Sequence, residues 1–439
     1  MVIYAFIPSN SHASYYYRLI VPLQTMEALG LPVEILVDDC SPNVPTERRR
    51  DGLIWSDIVW MYQATDPLMR HNMHVVKEMR AHRDKQGKVW YPATFVIDTD
   101  DDLFNVEPTN WAFQTLGIKN PQGGLLTPGS TIEFLDNDRN PIITKDGITA
   151  SWVDGKNGFD IRENITRLEN YRMLGQTASA ITCTTPAVVD YVKREFGKNT
   201  KTFINPNGVR FDHYLDLALA PHKGIRVMWQ GSNTHYNDLY SIHKAISRVA
   251  KKYPEVTFVF WGARLEKLLE GIPQEQLEYI PWLPYAQYHL RLVTVGPDIN
   301  LCPLRPSPFS ATRSAIKWYE ASVLHDPAAT VAQRAGAYKD EIEHGKTGLL
   351  YDTEEEFEQH LCTLIEDTKL RKELAANAKD WLHENRDAFK LAPKLFEFFC
   401  ALREQKHATT EIEEEDATVP EQQPDVRSGE NKDSESSIG

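Results

Sequence analysis

The most chemically suggestive stretch of the 439-residue chain is Leu301–Glu320, which reads LCPLRPSPFSATRSAIKWYE. A strand is expected to end at Pro303, a Pro- and Ser-rich loop to follow, and a helix to open near Thr312–Ser314. Free backbone N–H groups and the positive end of a helix dipole then meet where a strand stops, which is an anion-binding arrangement. Arg313 and Lys317 add cations near that end, and Lys317 and Glu320 lie three residues apart on one helix face. The same spacing also describes an ordinary capped helix with a surface ion pair.

A second concentration of chemistry is Asp98-Thr-Asp-Asp-Asp102, directly after the apolar run Thr94–Ile97. Asp98, Asp100, Asp101 and Asp102 can point into a cleft from a strand end, and crowding raises the pKa of at least one, which suits a general base. They can equally cap the next element. His12, in the loop after the first apolar run, is another base candidate beside its reading as a solvated loop histidine. Trp282 could stack on a planar ligand or sit in a core, and Tyr15, Tyr16 and Tyr17 read as packing more than sugar stacking.

The elements that must position these residues alternate short apolar runs with helical patterns, the signature of parallel sheets with crossover helices. Strands are expected at Val2–Ile7, Val33–Val37, Ile58–Met61, Thr94–Ile97, Ala180–Thr184 and Thr202–Asn205. Helices are expected at Tyr15–Leu29, His71–His82, Ile161–Leu174 and Pro186–Phe196, with an irregular insertion or lid over 104–158. A second series has strands at Ile225–Trp229, Thr257–Trp261, Glu278–Ile280 and Ile299–Pro303, and helices at Asn237–Lys252, Leu265–Gly271, Ala315–Leu324, Glu354–Thr368 and Lys369–Asn385. The expected organisation is an α/β chain with a first unit over 1–205, a linker over 206–223, a second unit over 224–405 and a tail over 406–439. Ligands of such sheets bind at the carboxyl ends of the strands, so the cleft between the units is the expected site.

Composition sets the outer limits. Hydrophobic residues make up 41% and charged residues 25%, which fits a globular protein with sizeable cores. Five widely spaced cysteines favour neither a disulfide framework nor a cysteine zinc site, and fit a reducing, cytoplasmic setting. No window approaches the ~18 apolar residues of a membrane span, and no signal peptide is evident, so no stable membrane insertion is expected. From His407 onward ten acids face two bases, a net of −8 out of the chain's −14, and this stretch reads as a disordered solvating tail or an acidic partner-binding segment. The body is only mildly acidic, which argues against a broad nucleic-acid groove but leaves room for a local basic cleft.

Four segments taken in order resemble the GT-B glycosyltransferases of the family-4 type: Asn205–Val209 (NPNGV), Arg226–Leu239 (RVMWQGSNTHYNDL), Ile299–Glu320 and Gly345–Asp352 (GKTGLLYD). The resemblance runs from about residue 178 to 385, with a looser match through Tyr17-Arg18 and Asp98–Asp102 that resembles phage and bacterial members. It implies two Rossmann-like domains facing across a cleft, and transfer of a sugar from a nucleotide diphosphate to an acceptor hydroxyl with retention and no required metal or cofactor. It would place the donor, of UDP, GDP or ADP type, against Gly231, Ser232, Thr312, Ser314 and Ala315. Glu320 would accept from ribose hydroxyls, Trp282 would hold the base, and Arg313 and Lys317 would stabilise the leaving diphosphate.

The first unit would contribute Asp100, with His12, Arg18, Asp98 and Asp101 as acceptor-side candidates. The acceptor, whether glycan, lipid-linked sugar, protein or modified nucleobase, is not legible, nor is the oligomeric state. Family members often carry a first glutamate eight residues before the second, and Thr312 stands there in this chain. That departure keeps a noncatalytic binding protein open as an alternative, along with a sugar-nucleotide epimerase. An Asp-x-Asp pair can also hold Mg²⁺ or Mn²⁺ in the rival GT-A fold, which would leave the second α/β series unexplained.

Overall fold

In the computed structural model, the residues described are 1–7, 13–38, 46–63, 65, 70, 73–74, 82–83, 89–108, 110, 112–119, 124–126, 132–135, 141–144, 149–152, 157–214 and 222–417. His12, most of the expected 71–82 helix and residues 418–439 of the expected tail lie outside them.

The first unit is a six-stranded parallel sheet of β1 (Val2–Phe6), β2 (Glu34–Asp38), β3 (Ile58–Tyr62), β4 (Thr94–Thr99), β5 (Ala180–Cys183) and β6 (Thr202–Ile204). The order across it is β6-β5-β4-β3-β1-β2. Strands β3 and β4 are buried along their whole length, as expected of central parallel strands covered on both faces. Ile3 pairs with Ile58 on one side and Ile35 on the other, and Ile58 pairs with Thr94.

A second six-stranded parallel sheet holds β7 (Arg226–Gly231), β8 (Thr257–Gly262), β9 (Leu277–Pro281), β10 (Ile299–Cys302), β11 (Ala329–Gln333) and β12 (Leu349–Tyr351). Its order is β9-β8-β7-β10-β11-β12. The order reverses between β7 and β10 here and between β1 and β3 in the first sheet, and these reversals open crevices at the strands' carboxyl ends.

Several elements depart from the sequence expectation. The first helix is interrupted by a π-turn at Tyr16–Ile20 before α1 (Val21–Ala28). That wider turn leaves Tyr17, Arg18 and Leu19 all buried. A charged segment, TERRRDGLIW, forms α2 (Thr46–Trp55), which its weak periodicity did not reveal. The insertion contains two antiparallel strand pairs, Ile132–Leu135 with Pro141–Thr144 and Thr149–Trp152 with Asn157–Asp160, where irregular chain was expected. The unexpected β11, β12 and α3 (Tyr285–Val295) complete the second unit.

The last helix, α4 (Ala388–Ala417), returns to the first unit, although residues up to 405 were assigned to the second and the tail was expected from 406. Ala392, Leu395, Phe399 and Leu402 pack with Ile3, Ala5, Trp60 and Val96 in one core, and the Trp60 and Phe399 rings meet edge to face at 5.2 Å. The chain thus crosses between units twice, and the crossings are bonded to each other. Val209 N–H donates to Arg386 O at 2.8 Å and Ala388 N–H to Val209 O at 2.9 Å. Gly208 permits that approach, since a Cβ there would stand 3.2 Å from Ala388 Cα. Among the described residues no helix is long and apolar enough to cross a membrane.

Candidate functional site

The carboxyl end of β7 and the loop after β10 flank the switch point of the second sheet. At Gly231 a Cβ would come within 2.7 Å of the Trp229 ring, and a Cβ on Gly262, at φ +103°, would meet Gly231 O at 2.5 Å. Two glycines therefore let adjacent strand ends close together at the crevice. Ser232 follows, its Oγ 2.7 Å from Thr234 Oγ1.

Across the crevice, the chain after β10 forms a 3₁₀ turn at Ser310–Thr312 and then helix α5 (Ile316–Ser322), with Ala315 as its N-cap residue. The helix starts later than expected and has only seven residues, so its dipole is small. The cations therefore carry most of the local positive charge. Lys317 forms no ion pair or side-chain hydrogen bond among the described residues, and its ammonium lies 5.7 Å from the Trp229 ring centre. Burial pulls its pKa down to about 8, with Arg313 acting in the same direction. Arg313 lies over the Phe309 ring at 4.7 Å and reaches Asp101 of the first unit at 3.6 Å. His235 Nδ1 pairs with Asp238 Oδ2 at 2.7 Å, and burial, then Lys317, lowers the imidazole's pKa to about 4. Near neutral pH His235 is uncharged, donates from Nδ1 to Asp238 and keeps Nε2 as an acceptor.

Glu320 is 4% exposed and already well partnered. Tyr17 donates to Oε1 at 2.8 Å, while Gln230 and Tyr288 donate to Oε2 at 2.7 and 2.8 Å. Burial raises the carboxyl's pKa to about 7 against the pull of these donors. A carboxylate offers about four acceptor positions, and the three donors above occupy three of them. Tyr17, Gln230 and Tyr288 were not identified as Glu320's partners from sequence, because residues 32 to 303 positions away carry no local signal. Thr312 is buried and accepts a hydrogen bond from Asp102 N–H at 3.0 Å across the seam. Ser314 Oγ accepts from Asn207 Nδ2 at 2.9 Å.

The first unit's candidates separate into different roles. Asp98 and Arg18 are fully buried against each other, with Arg18 Nε donating to Oδ1 at 2.8 Å and Nη2 to Oδ2 at 2.7 Å. Arg18 also donates to Asn205 O and to Asn207 Oδ1, and Thr182 donates to Asp98. The pair ties the π-turn, β4 and the first crossing together. Asp100 Oδ1 accepts from Tyr62 and Gln63, and burial raises its pKa. These contacts split the Asp98/Asp100 pair between different partners. Asp102 is held by Asn105 and Arg194. Asp101, the acid that meets Arg313 across the seam, has its pKa raised to about 7 by burial while Arg313 opposes the shift. Trp282 is 53% exposed, which removes its reading as a core residue.

Comparison with solved structures adds the overall architecture. HepE from Anabaena, in complex with UDP and glucose, superposes with a TM-score of 0.57 at 13% identity, covering 91% of this chain and 100% of that one. Sucrose-phosphate synthase from Thermosynechococcus elongatus gives 0.57 at 11%, covering 92% and 99%. A glycosyltransferase from Rickettsia africae gives 0.55 at 12%, covering 91% and 98%. The fold is GT-B. No family model matches the sequence, and no curated protein matches it.

Proposed function

We propose that the chain transfers a sugar from a nucleotide diphosphate sugar to an acceptor hydroxyl, with the diphosphate seated between the Gly231-Ser232 turn and the start of α5. The observation that carries this reading is the Lys317 ammonium, half-buried yet without a carboxylate partner among the described residues, beside Arg313 at the switch point of a GT-B fold. A partly desolvated cation without a carboxylate partner costs stability, and a bound diphosphate would offset that cost.

In this reading Lys317 and Arg313 stabilise the charge that grows on the leaving diphosphate, so the step calls for no metal or cofactor. Ser232 and the 312–315 backbone orient the phosphates, Trp282 stacks on the base, and Glu320 takes a ribose hydroxyl at its fourth acceptor position. Asp101, rather than Asp100, orients the acceptor. Retention of configuration and a family-4 affiliation rest on the sequence resemblance. Support for the nucleotide comes from HepE, whose structure holds UDP, so UDP and UDP-sugars are the first ligands to test.

The test is a thermal-shift screen of the full chain against UDP, GDP, ADP and their glucose or mannose derivatives. A ligand that binds only the folded state raises the melting temperature, by an amount that grows with concentration. No shift with any of them would overturn the reading. Thr312, engaged by Asp102 where the resembled family often carries an acid, favours a second reading as a noncatalytic nucleotide-sugar binder. Binding with neither transfer nor donor hydrolysis would select it.

A further inference from the structure

Next to the proposed diphosphate seat, a narrow, solvent-open cleft lies between the units, walled by Glu107 and Asn110 from the first and by Thr234, Asn237, Arg305 and Arg313 from the second. Its amide and hydroxyl lining suits a hydroxyl-rich ligand such as a sugar. The unusual feature is its two guanidinium groups. Arg305 Nη2 contacts Glu107 Oε2 at 2.5 Å, and Arg313 Nε stands 3.6 Å from Asp101.

The remaining carboxylate, Asp238, is already engaged on both oxygens. It accepts from Arg305 N–H at 2.8 Å and from His235 at 2.7 Å. Despite the opposing effect of burial, these hydrogen bonds hold its pKa below the usual range, so it stays an anion fixed in place. The two arginine pairs are weaker commitments. Arg305 and Glu107 side chains are 37% and 31% exposed. An ion pair that accessible to water contributes little, whereas a charge-assisted bidentate contact to a well-placed anion is roughly twice as strong as a neutral hydrogen bond.

We infer that the cleft receives the anionic group, a carboxylate or a phosphate, of a sugar substrate, with Arg305 exchanging Glu107 for that group and Arg313 supplying a second contact. The inference rests on the glycosyltransferase reading and narrows its substrate to acidic sugars. The anion could belong to the donor's sugar or to the acceptor.

Calorimetry on the full chain separates these cases. One arm compares UDP, UDP-glucose and UDP-glucuronate; the other titrates glucose 6-phosphate and glucose into protein saturated with UDP. In one arm the anionic compound is expected to bind at least about tenfold more tightly than its neutral counterpart. Arg305→Gln should abolish that preference, while Glu107→Gln, which removes the competing carboxylate charge, should widen it. Opposite signs from the two variants are not what a merely structural pair would give. UDP binding with equal affinity for anionic and neutral partners in both arms would overturn the inference and leave the broader reading standing. Equal losses of the preference in both variants would overturn it as well. If UDP, GDP and ADP all fail to bind, the glycosyltransferase reading falls and this inference falls with it.

Discussion

The Tyr17 hydroxyl donates to Oε1 of Glu320 at 2.8 Å although 303 residues separate them, so the π-turn of the first unit reaches into the core of the second. Tyr17 belongs there to the same buried cluster as Met228, Trp261 and Trp318. Tyr17→Phe keeps the packing and removes one hydrogen bond to a buried carboxylate. The expected loss is about 1.5–3 kcal/mol in denaturant unfolding. An unchanged midpoint would show that the contact does not hold the units together.

Glu320 also makes stability depend on pH. Its folded pKa, about 7, lies above the ordinary glutamate value of 4.5. Below about 4.5 it is protonated in both states and costs nothing, and between about 4.5 and 7 the folded state holds a proton that the unfolded state has lost. Stability should therefore fall as pH rises through this window, by on the order of 3 kcal/mol, and level off above it. Glu320→Gln should flatten this component when unfolding is followed from pH 4 to 8, and parallel curves for the two proteins would contradict the assignment.

Lys317 should make nucleotide binding pH-dependent in the opposite sense from an acid. Its pKa near 8 means the free protein loses the ammonium as pH passes that value, and diphosphate affinity should decline from there upward. Lys317→Met should weaken UDP binding about tenfold or more and remove the slope above pH 8. The same variant should not lose stability, because it removes a half-buried charge that has no carboxylate partner among the described residues. A folded variant that binds UDP as tightly as wild type would exclude Lys317 from the site.

Arg18 and Asp98 behave as a structural strut. Removing one partner, as in Asp98→Asn or Arg18→Ala, leaves a buried group uncompensated and should cost about 3–5 kcal/mol. Replacing both by apolar residues of similar volume should cost less than either single change. A double variant as unstable as the sum of the singles would point to additional bonds, such as those to Asn205 and Asn207, as the larger contribution.

Thr312→Val removes the oxygen that accepts Asp102 N–H across the seam. A buried donor left unpaired costs about 1–3 kcal/mol, and amide exchange at Asp102 should accelerate. Exchange at an unchanged rate would show that the bond does not clasp the units.

Much of this molecule was legible in local pattern. Apolar runs such as Ile58–Tyr62 and Ile299–Cys302 marked buried parallel strands, because such strands must be hydrophobic on both faces. The same rhythm, with the Pro-Asn-Gly turn at 206–208, indicated two α/β units, and the spacing of Arg313, Lys317 and Glu320 marked the region around the crevice. Pattern reading did less well where burial comes from distant chain. The last helix gave no sign that it packs on the first sheet, since that choice is made by Trp60, Ile3 and Val96, hundreds of residues earlier.

The site divides along the same line. Residue types and spacing alone determined that carboxylates cluster after β4 and that cations gather after β10. Only the tertiary structure decided which of them are engaged: Asp98 by Arg18, Asp100 by Tyr62 and Gln63, and Glu320 by Tyr17, Gln230 and Tyr288, while Lys317 kept no such partner among the described residues. The reason is physical. A charged group's role depends on its solvation and on what lies within about 4 Å, and in this fold those neighbours come from the opposite unit or from the far end of the chain.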